Sequence, residues 1–260
     1  MHVAFVGAGK MATALAAGLG DSTTIAACDI VPEAREAFAA ATGGEVFADL
    51  DDAVPGADVI VIAVKPAVVP TTLPQIKLAP DEAAVVSIAA GVSLATLEAG
   101  LPGRRVLRVM PNTPSLVGQG AAAFARGSRA TDDDAAMCRE LLAAVGTVDE
   151  VPESLLDAVT GLSGSGPAYG FVIIEALADA GVRAGLPRPL VQKLAAQTLA
   201  GAAAMVLQTG EHPAALKDAV ASPAGTTIAG LAALEAGGLR AALQSAVAAA
   251  TDRSRQLGQD

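Results

Sequence analysis

Gly7-Ala8-Gly9-Lys10-Met11-Ala12 comes straight off the apolar run His2-Val3-Ala4-Phe5-Val6 and opens into an alanine-rich amphipathic stretch, residues 11–19. An apolar run, a GxGxxA turn and a helix, in that order, form the phosphate-binding turn of a βαβ unit. The first glycine permits the tight turn, the second lets backbone approach a pyrophosphate, and the small last residue lets helix pack on strand. The pyrophosphate rests on the free N–H groups of the helix start. The stretch therefore predicts a doubly wound α/β fold that holds a dinucleotide with Gly7, Ala8, Gly9, Lys10 and Met11.

Outward from this turn, residues 24–29, 58–64, 84–88 and 105–110 repeat the strand signal and alternate with alanine-rich segments, the rhythm of a parallel sheet. The run Val59-Ile60-Val61-Ile62-Ala63-Val64 does not alternate, so both faces of that strand are covered. A helix over 131–145 and a last strand over 147–151 follow, and then the strand signals stop. Beyond them the pattern is helical. Val191, Leu194, Ala195, Thr198, Leu199, Ala202, Met205 and Val206 fall on one stripe, and Ile228, Leu231 and Leu234 begin another. Breaks are expected at Gly185-Leu186-Pro187, Gly210-Glu211-His212-Pro213 and Ser222-Pro223-Ala224-Gly225. The organisation predicted is a Rossmann-type dinucleotide-binding domain, residues 1–150, followed by an all-α domain, residues 151–260.

Asp29 lies twenty residues beyond Gly9, at the end of the second strand, where an acidic residue accepts hydrogen bonds from the adenosine ribose. The residues after it are Ile30, Val31, Pro32, Glu33 and Ala34, with Arg35 expected one turn into the next helix, so no cation is expected beside it. A 2′-phosphate there meets a carboxylate, which favours NADH over NADPH. The other reading of Asp29 is a cap on that helix, and both can hold.

Composition closes off several classes. With 52% hydrophobic and 17% charged residues over 260 positions, the chain can bury a large core and is not a disordered one. A net charge of −10 repels nucleic acid and anionic membrane. Cys28 and Cys138 stand far apart without CxxC spacing and with no charged-then-apolar leader before them, which points to a reducing cytoplasm. The apolar stretch 168–184 is interrupted by Glu175, Asp179 and Arg183 and is not expected to span a bilayer. His2 and His212 lack Cys or carboxylate neighbours at ligand spacing, so no metal site is expected. Tyr169 is followed four residues on by Ile173 rather than lysine, which removes the Tyr-x-x-x-Lys pair of short-chain dehydrogenases. No lysine falls within 161–192 to serve as the base of a hydroxyacid dehydrogenase. Hydride transfer to a C=N bond whose nitrogen is already basic stays compatible.

Four further segments complete the pattern: Ala63-Val64-Lys65-Pro66, Arg108-Val109-Met110-Pro111-Asn112-Thr113-Pro114, Leu162-Ser163-Gly164-Ser165-Gly166-Pro167-Ala168-Tyr169, and Val220-Ala221-Ser222-Pro223-Ala224-Gly225-Thr226-Thr227-Ile228. Together they closely resemble the pyrroline-5-carboxylate reductase family, over essentially the whole chain. The resemblance implies NAD(P)H-dependent reduction of 1-pyrroline-5-carboxylate to L-proline, and a helical domain that pairs with its copy in a dimer or higher oligomer. By the same resemblance Ala63, Val64, Lys65 and Pro66, with Ala89, Ala90 and Gly91, line the cofactor groove. Ser222, Gly225, Thr226 and Thr227 hold the substrate carboxylate, the Thr227 hydroxyl bonds the ring nitrogen as the catalytic group, and Glu153 lies near substrate. From the residues alone, Ser222 and Thr227 equally read as caps of the next helix.

The chain departs from the family at two places. Ala224-Gly225 replaces the Gly-Gly of many relatives and narrows the φ choices of the loop. Asp29-Ile30-Val31 stands where NADPH-preferring relatives carry Ser, Thr, Asn or Arg. Two other functions share parts of the pattern. A reductase of another cyclic imino acid keeps every motif. A non-catalytic dinucleotide-sensing or pyridoxal-phosphate-handling protein has no need of the Ser-Pro-x-Gly-x-Thr segment.

Overall fold

The computed structural model describes residues 1–20 and 22–258, and of Lys77 and Leu78 the backbone alone. The opening turn sits where β1 (His2–Val6) gives way to α1 (Lys10–Gly18). After it come β2 (Thr24–Cys28), α2 (Pro32–Thr42), β3 (Glu45–Phe47), α3 (Leu50–Ala53), β4 (Val59–Ile62) and α4 (Val69–Thr72). Then follow β5 (Ala84–Ser87), α5 (Leu94–Gly100), β6 (Val106–Met110), β7 (Gly120–Arg126), α6 (Asp132–Ala143) and β8 (Gly146–Glu150). The strands form one sheet in the order β3-β2-β1-β4-β5-β6-β7-β8. Its order reverses beside β1, between β2 and β4, and the crevice beyond the carboxyl ends of strands at such a point is where doubly wound sheets bind ligands.

Each expected strand is present, trimmed by one to three residues or, for the last, shifted by one. β3 and β7 were not expected. β7 is Gly-Ala-Ala-Ala-Phe-Ala-Arg, with one strand-favouring side chain, and it runs antiparallel to β6 while pairing parallel with β8. What makes it a strand is packing rather than propensity. Ala123 and Ala125 go to the core on one face of the sheet and Phe124 to the core on the other.

Burial of both faces is general. Ala4, Val6, Ile60 and Ile62 pack one way, with Leu73, Ile76 and Leu97, while Val3, Phe5, Val59 and Val61 pack the other way, with Leu15, Phe38 and Leu141. Each large side chain so buried contributes about 1.5–3 kcal/mol. The helix expected over 131–145 begins with a capping box: Thr131 Oγ1 accepts the Asp134 N–H at 3.2 Å, and Asp134 Oδ2 accepts the Thr131 N–H at 2.8 Å.

Past β8 the described residues hold only helical elements and turns. These are a 3₁₀ turn (Glu153–Leu155), α7 (Leu156–Val159), a π turn (Thr160–Gly164), α8 (Gly166–Arg183), α9 (Arg188–Thr209), α10 (Pro213–Ala219), α11 (Thr226–Ala236) and α12 (Leu239–Leu257). The three expected breaks separate α8 from α9, α9 from α10 and α10 from α11. By their contacts the residues form two compact units, Met1–Ser165 together with the stretch from Ala248 on, and Gly166–Val247.

Within this chain α9 buries Val191 and Ala195, while Leu194, Met205 and Leu207 on the same helix are exposed. Among the described residues α9 is the one helix long and apolar enough, by length and composition, to cross a membrane, with a mean hydropathy of 1.4.

Candidate active site

Gly7 adopts φ +102°, and its N–H donates to the Cys28 carbonyl at 2.8 Å. A Cβ on Gly7 would stand 2.8 Å from the Ala63 carbonyl oxygen and 3.1 Å from Val64 Cγ1. Glycine is therefore required by both conformation and space. Gly9 differs. It caps α1 with φ −73° and no side-chain hydrogen bond, and a Cβ there would meet nothing within 4 Å. The helix start thus faces open space with its first N–H groups uncapped, the arrangement that receives a phosphate. Lys10 is exposed at this rim, and Ala8 and Ala12 are buried beneath it. These residues fit the pyrophosphate of a dinucleotide.

Asp29 is not the cap of α2; Val31 occupies that position, without a side-chain bond. The Asp29 carboxylate instead accepts the Ala8 N–H at 2.8 Å on Oδ2 and the Val31 N–H at 2.9 Å on Oδ1, stapling the end of β2 to the glycine turn. A carboxylate with both oxygens so engaged keeps lone pairs for a ribose hydroxyl. The expectation that no cation stands beside it is corrected by Arg35. Its guanidinium folds back from the first turn of α2, and Nη1 donates to the Asp29 carbonyl at 2.6 Å. Burial, and then the Asp29 charge, push the neighbouring Cys28 thiol up to about 11, so it is a neutral thiol at ordinary pH.

Beyond the turn, a cavity of about 270 Å³ runs along the carboxyl ends of β4, β5 and β6. Met11, Ala63, Val64, Ile88, Ala90 and Met110 give it apolar walls, and Asn112, Thr113 and Gly164 complete the lining. Four of the residues expected in the cofactor groove, Met11, Ala63, Val64 and Ala90, are thus brought together. Lys65 and Pro66 are exposed at the next turn, Ala89 is buried behind Ala90, and Gly91 makes a left-handed turn at φ +78°. The apolar walls and this position suit the nicotinamide end of the cofactor.

A roomier cavity, about 520 Å³, lies at Arg126, Arg139 and residues 150–153, but its two guanidinium groups are already tied to Glu150, at 2.6 and 2.7 Å. Glu153 borders it. Its Oε1 accepts the Leu94 N–H at 2.7 Å and Arg108 Nη1 at 2.9 Å, joining the start of α5 to β6. Arg108 is 9% exposed, and a buried cation needs such a counter-charge. The signal in the sequence was an arginine in the middle of the otherwise apolar run 106–110.

On the helical unit, Ser222 to Gly225 make a turn closed by the Gly225 N–H on the Ser222 carbonyl at 3.1 Å. Ala224 sits at φ +55°, the one non-glycine residue at positive φ among those described. Holding an alanine there costs about 1–2 kcal/mol. A Cβ on Gly225 would collide with Ser222 Oγ. The cap of α11 is Gly225, with no side-chain hydrogen bond, so neither Ser222 nor Thr227 caps the helix. Thr226 and Thr227 are exposed on its first turn. This is a second uncapped helix start, flanked by three hydroxyls, suited to a small carboxylate.

Comparison with known proteins matches two separate stretches of the chain. A family model described as pyrroline-5-carboxylate reductase dimerisation matches residues 153–257, and one described as NADP oxidoreductase, coenzyme F420-dependent, matches residues 2–91. The chain is 47% identical to a pyrroline-5-carboxylate reductase of Arabidopsis thaliana, over 99% of this chain and 95% of that one. Among solved structures, it resembles a pyrroline-5-carboxylate reductase of Coxiella burnetii, with TM-score 0.92 and 34% identity over 98% and 97% of the two chains. It also resembles a pyrroline carboxylate reductase of Plasmodium falciparum with NADP bound, with TM-score 0.88 and 30% identity over 99% and 98%. With this likeness running through both the glycine turn and the helical region, the chain belongs to the pyrroline-5-carboxylate reductase family.

Proposed function

We propose that this chain reduces 1-pyrroline-5-carboxylate to L-proline at the expense of a reduced nicotinamide dinucleotide, the closing step of proline biosynthesis. The observation that carries the reading is the pair of uncapped helix starts, one behind Gly9 and one behind Gly225, each suited to an anion. The first takes the pyrophosphate and the second the substrate carboxylate. Bound in the apolar cavity, the reduced nicotinamide supplies a hydride to C5 of the pyrroline ring. Ser222, Gly225, Thr226 and Thr227 orient the substrate, and the Thr227 hydroxyl holds the ring nitrogen that carries the added proton. Such positioning is worth several kcal/mol of the barrier without any covalent step. Glu153 serves the site through Arg108 and the start of α5.

In this reading residues 1–150 bind the dinucleotide, and residues 151–260 bind substrate and self-associate, a second copy covering the exposed face of α9. Two free, buried cysteines suit a cytoplasmic location. NADH is the preferred donor in this reading, because the carboxylate of Asp29 at the end of β2 repels a 2′-phosphate, with the Arg35 guanidinium as counterweight.

Oxidation of NADH and of NADPH, measured in parallel with 1-pyrroline-5-carboxylate, tests the whole. Turnover led by NADH is expected. Asp29→Ser is expected to raise the ratio of kcat/KM for NADPH over NADH about tenfold, the effect of removing one close like charge worth about 1.4 kcal/mol. An unmoved ratio reduces Asp29 to a backbone staple. Turnover with another cyclic imino acid and not with this one would transfer the site to that substrate.

A further inference from the structure

Asn112 has no role in the reading above, yet both ends of its amide are used. It is 8% exposed at the end of β6, where its Oδ1 accepts the Ala121 N–H at 2.9 Å and its Nδ2 donates to the Ser163 carbonyl at 3.0 Å. The two partners fix the orientation, since a flipped amide would set oxygen against carbonyl and N–H against N–H. Asn112 also stands at the N-cap of the short 3₁₀ turn Thr113–Val117, a position where asparagine ordinarily caps, and its side chain makes no cap bond there. The side chain is spent instead on Ser163.

Ser163 lies in the π turn, where the Ser165 N–H reaches back to the Thr160 carbonyl at 2.8 Å. Such turns release carbonyls from the regular helix ladder and recur at functional sites. The next residue, Gly164, lines the apolar cavity and packs directly against Met110, so closely that a Cβ on it would stand 2.5 Å from Met110 Cε.

We infer that Asn112 is a positioning residue for hydride transfer: its amide holds the π turn, and with it Gly164, against Met110, and so sets the wall of the cavity on which a nicotinamide ring lies. The inference rests on the proposed function. A misplacement of about 1 Å at such a site can cost about 100-fold in rate.

Asn112→Asp tests it, because the variant keeps the acceptor for the Ala121 N–H and replaces the donor to Ser163 by an oxygen. The chain contains no tryptophan, so emission from bound NADH reads the ring's surroundings directly. At pH 8 the variant is expected to keep its affinity for NADH, to lose the emission gain that accompanies ring burial, and to lose about 100-fold in kcat. The cavity's lining residues include no titratable side chain. As pH falls, the carboxyl of the variant, raised by burial and by the facing carbonyl, takes up a proton, donates to Ser163 and restores emission and kcat relative to the parent.

Parental emission and kcat at every pH overturn the inference, and so does a loss that acid does not reverse. Where Asn112→Asp fails to fold, Asn112→Ala is read by the same emission, and a parental signal from it overturns the inference equally. A parent that buries NADH but reduces no pyrroline-5-carboxylate counts against the proposed function, and the emission arm still decides the role of Asn112.

Discussion

Gly9→Ala is expected to leave the melting temperature where it is and to weaken dinucleotide binding by about 100-fold or more. A Cβ at Gly9 meets no protein atom within 4 Å, and φ −73° suits any residue, so the folded chain accepts the methyl. The methyl then occupies the space a pyrophosphate needs in order to reach the uncapped N–H groups of α1. Losing two charge-assisted hydrogen bonds at about 1.5–3 kcal/mol each gives that magnitude. Gly7→Ala is the companion variant. Its Cβ stands 2.8 Å from the Ala63 carbonyl oxygen at φ +102°, so it is expected to lower both binding and stability, by about 2–5 kcal/mol for the latter. Thermal melts without ligand, beside titrations with NADH, separate the two. If Gly9→Ala bound the dinucleotide as the parent does, the open rim of α1 would not be the pyrophosphate seat.

Thr227→Val is expected to reduce kcat about 100-fold while affinity for NADH stays at the parental value. The exchange keeps the branched shape and removes one hydroxyl from an exposed position on the first turn of α11. The helix itself loses nothing, because Gly225 is its cap and no threonine hydroxyl holds it. A fall in kcat with unchanged far-ultraviolet circular dichroism therefore reports chemistry. Undiminished kcat would take Thr227 out of the reaction and leave the carboxylate cradle as the sole contribution of the loop.

The parts of this molecule that could be read from the chain are those whose causes are local. The turn at Gly7 and Gly9 is one: an apolar run, two glycines and a helix start lie within a dozen residues, and the structure forms them in that order. The breaks at Gly185, Gly210 and Ser222 are legible for the same reason. β7 was not, because Ala121, Ala122 and Ala123 carry no strand preference, and what holds them extended is a pairing with β6 and β8 that no neighbouring residue specifies. Arg35 shows the same limit at the site. Its place in α2 was legible, but the fold of its long side chain back to the Asp29 carbonyl depends on where α2 leaves the sheet. The double use of the Asn112 amide likewise joins residues 112, 121 and 163, which only the folded chain brings together.

α9 carries a consequence beyond the site. Of its 22 residues, Val191 and Ala195 are buried within the chain, and side chains as large as Leu194, Met205 and Leu207 face outward. If a second copy covers that face, part of the folding free energy of the helical unit comes from mass action, and it grows with the logarithm of protein concentration. Dilution then acts on this chain as a denaturant does on others. The melting temperature is expected to rise with concentration across a dilution series, and a value independent of concentration would show that each copy stands alone.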